Sequence, residues 1–160
     1  MNRRVLVVCT ANQCRSPMAE GLIRARIEAR GLSDRVSVSS AGTWSIEGVP
    51  ATPHAVTVMR RRGIDITTHR SRELDAGRVA SADLILVMTT SHYQAILTEF
   101  PDSRARLHRF SALSGGEWDI ADPVSGPVEE YEATARELER LIDAGWEMIV
   151  GGAGDRDGSA

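Results

Sequence analysis

Val5-Leu6-Val7-Val8-Cys9-Thr10-Ala11-Asn12-Gln13-Cys14-Arg15-Ser16-Pro17 is an apolar run that ends on a cysteine, with an arginine six positions further on. The run from Val5 to Val8 is β-branched and aliphatic throughout, as in strands buried on both faces of a parallel sheet. Ser16-Pro17 reads as a helix cap followed by a first-turn proline. Strand, loop and helix in immediate succession place a thiol at the mouth of a loop and at the positive end of a helix.

The pattern then alternates. A first helix is expected to about Arg30, with Met18, Leu22, Ile23 and Ile27 inward and Gly31 ending it. Val36-Ser37-Val38-Ser39 reads as a second strand that Ala41-Gly42 breaks, leading to a loop with Trp44, Gly48 and Pro50. A helix is expected from Thr52 or Pro53 to Arg62, a short helical stretch over Leu74 to Ala80, and a strand at Leu84-Ile85-Leu86-Val87-Met88. Thr89 to Phe100 reads as a helix, Arg106 to Phe110 as an edge strand, Ser111 to Pro127 as a loop, and Val128 to Trp146 as the last helix. Strands alternating with helices imply right-handed crossovers and a parallel sheet covered on both faces, a single three-layer α/β domain with four strands. Ligands of such folds sit at the carboxyl ends of the strands, where Cys9 lies. The domain is expected over residues 1–150, with 151–160 a disordered tail.

Composition narrows the function. The 160 residues are 42% hydrophobic, enough for one self-standing core. A net charge of −3, with acidic and basic residues interspersed, gives no support to nucleic-acid binding. There is no long apolar stretch for a membrane span and no room for a signal peptide before the first strand, so a cytoplasmic protein is expected. Two cysteines, Cys9 and Cys14, make no disulfide framework, and their spacing is wrong for a zinc knuckle. The histidines show no paired helical spacing, so neither metal nor cofactor is expected. No Walker loop follows any strand.

If Thr10, Ala11, Asn12, Gln13, Cys14 and Arg15 wrap so that their backbone N–H groups converge, they form an anion nest at a helix N-terminus. The same field favours a thiolate at its base, making Cys9 the candidate nucleophile. Arg15 offers a planar fork for two phosphoryl oxygens. A thiolate attacking a phosphate ester also needs an acid for the leaving group, and Trp118-Asp119-Ile120-Ala121-Asp122-Pro123 carries two carboxylates in a late loop.

The segment from Cys9 to Pro17 resembles the C-x-G-N-x-C-R-S-P signature of the low-molecular-weight protein tyrosine phosphatases, departing at Ala11, where the family has glycine. The resemblance implies a flavodoxin-like fold and hydrolysis of phosphotyrosine in proteins through a phosphocysteine, with Cys9 and Arg15 catalytic. It assigns the acid to Asp122 of Asp122-Pro123, with Asp119 as second choice. It also implies that Asn12, Ser16, Ser40 and His69 form a supporting hydrogen-bonded network. Trp44 and Val124 would wall the substrate slot, although the family usually carries an aromatic where Val124 stands. Gln13 is polar where tyrosine-specific members often have an aliphatic residue and the arginine-directed branch has threonine, and the stretch Ala51-Thr52-Pro53-His54-Ala55-Val56 resembles that branch, so a phosphoarginine substrate is the alternative. The related thioredoxin-coupled arsenate reductases need two further cysteines that this chain lacks. A phosphoprotein-binding module without turnover is the remaining alternative. The partner expected is a phosphorylated protein, with no nucleic acid and no membrane.

Overall fold

The computed structural model describes residues 2–154. Four strands, β1 (Arg3–Cys9), β2 (Val36–Gly42), β3 (Leu84–Val87) and β4 (Leu107–Arg109), form one parallel sheet in the order β2-β1-β3-β4. The helices are α1 (Arg15–Ala29), α2 (Pro53–Arg60), α3 (Ala76–Ser81), α4 (Thr90–Glu99), α5 (Val128–Ala144) and α6 (Trp146–Val150). The expected α/β architecture of a four-stranded parallel sheet between helical layers is therefore present.

The two-residue period of a strand divides the core. Val5, Val7 and Cys9 face a layer built on α1, α2, α5 and α6, where Met18, Ile23, Leu138 and Ile142 are buried. Leu6 and Val8 face the opposite layer, with Val79 of α3 and Ile96 of α4. Both faces of β1 are thus dry, which is why its sequence is a continuous apolar run rather than an alternating one. In α5, Tyr131, Thr134, Ala135, Leu138, Leu141 and Ile142 are buried at the three- and four-residue spacing of one helical face.

Several boundaries differ from the sequence reading for local reasons. Ser16 does not cap α1: the helix already begins at Arg15, Cys14 stands at the cap position, and the Ser16 hydroxyl turns toward Cys9. β2 continues through Ala41 to Gly42 instead of breaking there. A Cβ on Gly42 would lie 2.4 Å from the Thr10 carbonyl oxygen, so this glycine permits close approach of strand and loop rather than ending the strand. Asp75 caps α3 by accepting from the Arg78 N–H, so Leu74 precedes the helix and packs on the core. α2 stops at Arg60, and residues 61–63 turn out of it with Gly63 in the left-handed region. The last helix divides at Gly145, where a side chain would collide with Leu113, and Trp146 opens α6. The edge strand stops at Arg109, one residue before its expected end, and Phe110 forms a 3-10 turn with residues 111–114, expected as loop. Gly151–Gly154 form another, and the remainder of the tail expected from Gly151, residues 155–160, lies outside the described residues. Among the described residues no helix is long and apolar enough to cross a membrane.

Candidate active site

The sheet positions the site before any side chain acts. β1 ends at Cys9 in the centre of the sheet, and the chain from Thr10 to Cys14 curls over the strand end into α1. The loop is fastened from below: Thr43 N–H donates to the Cys9 carbonyl at 2.9 Å and Trp44 N–H to the Thr10 carbonyl at 3.0 Å. Asn12 carries the one left-handed turn of the loop, at φ 59°. Ala11, at the position where glycine is usual, has no positive φ, so its Cβ costs the loop nothing in backbone strain. Asparagine is among the side chains that accept such a turn most readily.

Asn12 also organises the interior of the loop. Its Oδ1 accepts from the Arg72 backbone N–H at 3.0 Å, which fixes the amide orientation because that N–H can only donate. Nδ2 then donates to Ser16 Oγ at 2.8 Å and to Ser40 Oγ at 2.9 Å. Ser16 Oγ lies 2.9 Å from Cys9 Sγ, so that with the Asn12 amide donating to its oxygen the hydroxyl can offer its own proton to the sulfur. Cys9 itself is 3% exposed, at the base of the loop. His69 Nε2 donates to the Asn12 carbonyl at 2.8 Å, and its Nδ1 stands 3.7 Å from Glu20. Burial opposes ionisation of Glu20, yet His69 and the Arg24 cation outweigh it and hold the carboxyl below its ordinary range. All four residues expected as supports, Asn12, Ser16, Ser40 and His69, therefore meet at one point; Glu20 is an addition the sequence did not signal.

Arg15 is 4% exposed and joins two loops. Its Nη1 donates to the Ile120 carbonyl at 2.8 Å, and its Nη2 stands 3.4 Å from Asp122 Oδ2. Nε is buried with no hydrogen-bond partner among the described residues, a donor that an anionic oxygen would satisfy. Asp122 and Val124 border, with Cys9, Ala11, Gln13, Cys14 and Arg15, a cavity of about 40 Å³. Asp119 is directed elsewhere: its Oδ1 accepts from the Thr90 N–H at 2.8 Å and the Thr90 hydroxyl at 3.0 Å, tying the acid loop to α4. Only Asp122 of the two carboxylates lines the cavity that holds the thiol. Trp44 is 84% exposed and borders an adjoining cleft of about 620 Å³ with Thr10, Arg15, His92, Asp119 and Asp122, so it is no core residue.

The second cysteine is differently placed. Cys14 Sγ lies 3.5 Å from both Thr52 Oγ1 and Tyr131 Oη, and burial pushes its thiol up from the ordinary value. A thiol held protonated is a poor nucleophile, which argues against Cys14 in that role.

His92, set aside in the sequence as one of several scattered histidines, is 5% exposed and 2.8 Å from Thr10 Oγ1. Burial, then the Arg15 cation, lower it to about 4, against the opposing pull of Asp119 and Asp122. As pH falls from 6.5 toward 4, the unfolded chain takes up a proton that the folded chain refuses, so stability declines through that window. The expected result is a melting temperature that drops across it in the wild type and less steeply in His92→Gln; parallel profiles would contradict the assignment.

The sequence model of the low molecular weight phosphotyrosine protein phosphatases matches residues 4–148. A protein-arginine-phosphatase of Geobacillus stearothermophilus is 41% identical over 144 residues, covering 89% of this chain and 93% of that protein. A probable low molecular weight protein-tyrosine-phosphatase, EpsP of Ralstonia nicotianae, is 39% identical over 90% of this chain and 94% of its own length. Among solved structures, a cysteine-to-serine mutant of YwlE arginine phosphatase with a phosphorylated active-site serine superposes with a TM-score of 0.86, at 35% identity over 96% of this chain and 97% of that one.

Proposed function

Since the chain belongs to the low-molecular-weight phosphotyrosine protein phosphatase family, we propose that it hydrolyses phosphoarginine in proteins through a phosphocysteine on Cys9. The observation that carries the substrate choice is the rim of the small cavity, where Gln13, Asp122 and Val124 stand and, among the described residues, no aromatic ring does. A phosphotyrosine ring gains most from flat aromatic walls, whereas a guanidinium gains from polar acceptors. The Gln13 side-chain carbonyl is such an acceptor, and the Asp122 carboxyl stands beside it to serve the leaving nitrogen. The similarity to a protein-arginine-phosphatase supports the same choice. This reverses the order expected from the loop signature, in which phosphotyrosine came first.

In the first step the Cys9 thiolate attacks phosphorus, the bond from phosphorus to the guanidine nitrogen breaks, and Asp122 gives its proton to that nitrogen. In the second, Asp122, now a carboxylate, takes a proton from water, whose oxygen attacks the phosphocysteine. The P–S bond breaks, and the electron pair returns to Cys9. Arg15 and the loop amides bind the equatorial oxygens in both transition states. The residues Asn12, Ser16, Ser40 and His69 keep the loop in the shape these steps need.

The second reading, phosphotyrosine, draws on Trp44, whose exposed ring borders the cleft next to Arg15 and Asp122 and offers one stacking face. Matched peptides carrying phosphoarginine, phosphotyrosine or phosphoserine discriminate the two. The proposal expects kcat/KM highest on phosphoarginine and negligible on phosphoserine. A clear preference for phosphotyrosine overturns it in favour of the second reading.

A further inference from the structure

We propose that His92 is a positioning residue for the phosphate loop, its Nε2–H holding the Thr10 hydroxyl so that the residue after the nucleophile is fixed from the α4 side of the sheet. The inference rests on the phosphatase reading but not on the choice of substrate. Its first support is the alternation at the end of β1. Cys9 faces the layer of α1 and α5, so Thr10 turns toward the layer of α4, beyond the reach of the Asn12 network. The bond between Thr10 Oγ1 and His92 Nε2, at 2.8 Å, supplies the anchor on that side.

The direction of this bond follows from the other ring nitrogen. His92 Nδ1 lies 3.2 Å from the Thr89 backbone N–H, which can only donate, so Nδ1 is the acceptor. In the neutral ring the proton is then on Nε2, and Thr10 Oγ1 receives it. Two bonds consequently run in one direction, from the Thr89 N–H to His92 and from His92 to Thr10, which leaves the Thr10 hydroxyl proton free for the cleft it borders with Arg15. Such a chain is polarised toward an anion. The charged groups acting on the ring are Arg15, which disfavours its protonation, and Asp119 and Asp122, which favour it.

The same ring closes the capping box of α4: the His92 N–H donates to Thr89 Oγ1 while Nδ1 accepts from Thr89 N–H. Helix capping and loop positioning thus use different nitrogens, and two substitutions separate them. An asparagine oxygen reaches the place of Nδ1 but its amide falls short of Thr10. A glutamine amide reaches the place of Nε2 and donates to Thr10, but leaves the cap open.

The test measures hydrolysis of p-nitrophenyl phosphate, which uses the phosphate loop but no guanidinium, so failure of the phosphoarginine reading does not enter the result. His92→Asn is expected to lower kcat about tenfold with its melting temperature near wild type, the scale of one well-placed hydrogen bond. His92→Gln is expected to retain kcat within about threefold while melting earlier. Thr10→Val should lose as much as His92→Asn, and the double variant no more than either alone, because both remove one interaction. The imidazole ¹⁵N shifts of the wild type, which need no turnover, should report a proton on Nε2. Wild-type kcat in His92→Asn, activity that follows melting temperature across the two variants, fully additive losses with Thr10→Val, or a proton on Nδ1 would each overturn the proposal.

Discussion

Cys9→Ser is expected to reduce turnover by more than about 10⁴-fold, the scale on which removal of a nucleophile lowers an enzyme's rate. Binding of inorganic phosphate should survive, because the donors that the proposed mechanism assigns to the anion, the loop N–H groups and Arg15, are untouched by the substitution. The fold should survive as well. Serine is smaller than cysteine, and the introduced hydroxyl can accept the Ser16 proton that Cys9 Sγ accepts, within a cage set by Asn12. Steady-state rates together with calorimetric titration of phosphate check both halves. A variant that turns over near the wild-type rate would remove Cys9 from the mechanism, and with it the distinction drawn from Cys14.

Asp122→Asn is expected to lower kcat by about 10² to 10⁴ on phosphoarginine or phosphotyrosine peptides, the usual contribution of a general acid. With p-nitrophenyl phosphate, whose leaving group needs little protonation, the loss should be smaller. The parallel variant Asp119→Asn should change little, since asparagine keeps an oxygen to accept from the Thr90 amide and hydroxyl. The contrast is sharp because both carboxylates lie in one short loop and only their partners differ. If Asp119→Asn carries the loss and Asp122→Asn does not, the roles must be exchanged.

The central strand, its cysteine and the arginine were legible because they are contiguous: an apolar run, a loop and a helix start report on one another within a few positions. β3 was legible for the same reason, as four buried aliphatic residues in a row. Where a residue serves a partner distant in sequence, local patterns misled. Ser16 looks like a cap because Ser-Pro often begins a helix, but the Cys9 thiol claims its hydroxyl. Gly42 looks like a breaker, but it is the strand residue on which the phosphate loop rests. Ala11 departs from the family's glycine without strain, because the loop places its left-handed turn one residue later, at Asn12. The pairings of His92 with Thr10 and of Glu20 with His69 join segments that only the folded sheet brings together. One local sign of the first existed, since Thr89 and His92 stand at capping-box spacing before an apolar helix.

Where the phosphoryl group resides during turnover decides whether Cys9 is the nucleophile. Wild-type enzyme mixed with excess phosphoarginine peptide, quenched within the first turnovers and digested, should yield a phosphorylated peptide containing Cys9. In Cys9→Ser no phosphocysteine can form, any phosphoryl group retained at that position should sit on the introduced hydroxyl as a stable ester, and Cys14 should be unmodified in both. Hydrolysis that proceeds without any adduct on Cys9, or with the phosphoryl group on another residue, would contradict that role for Cys9.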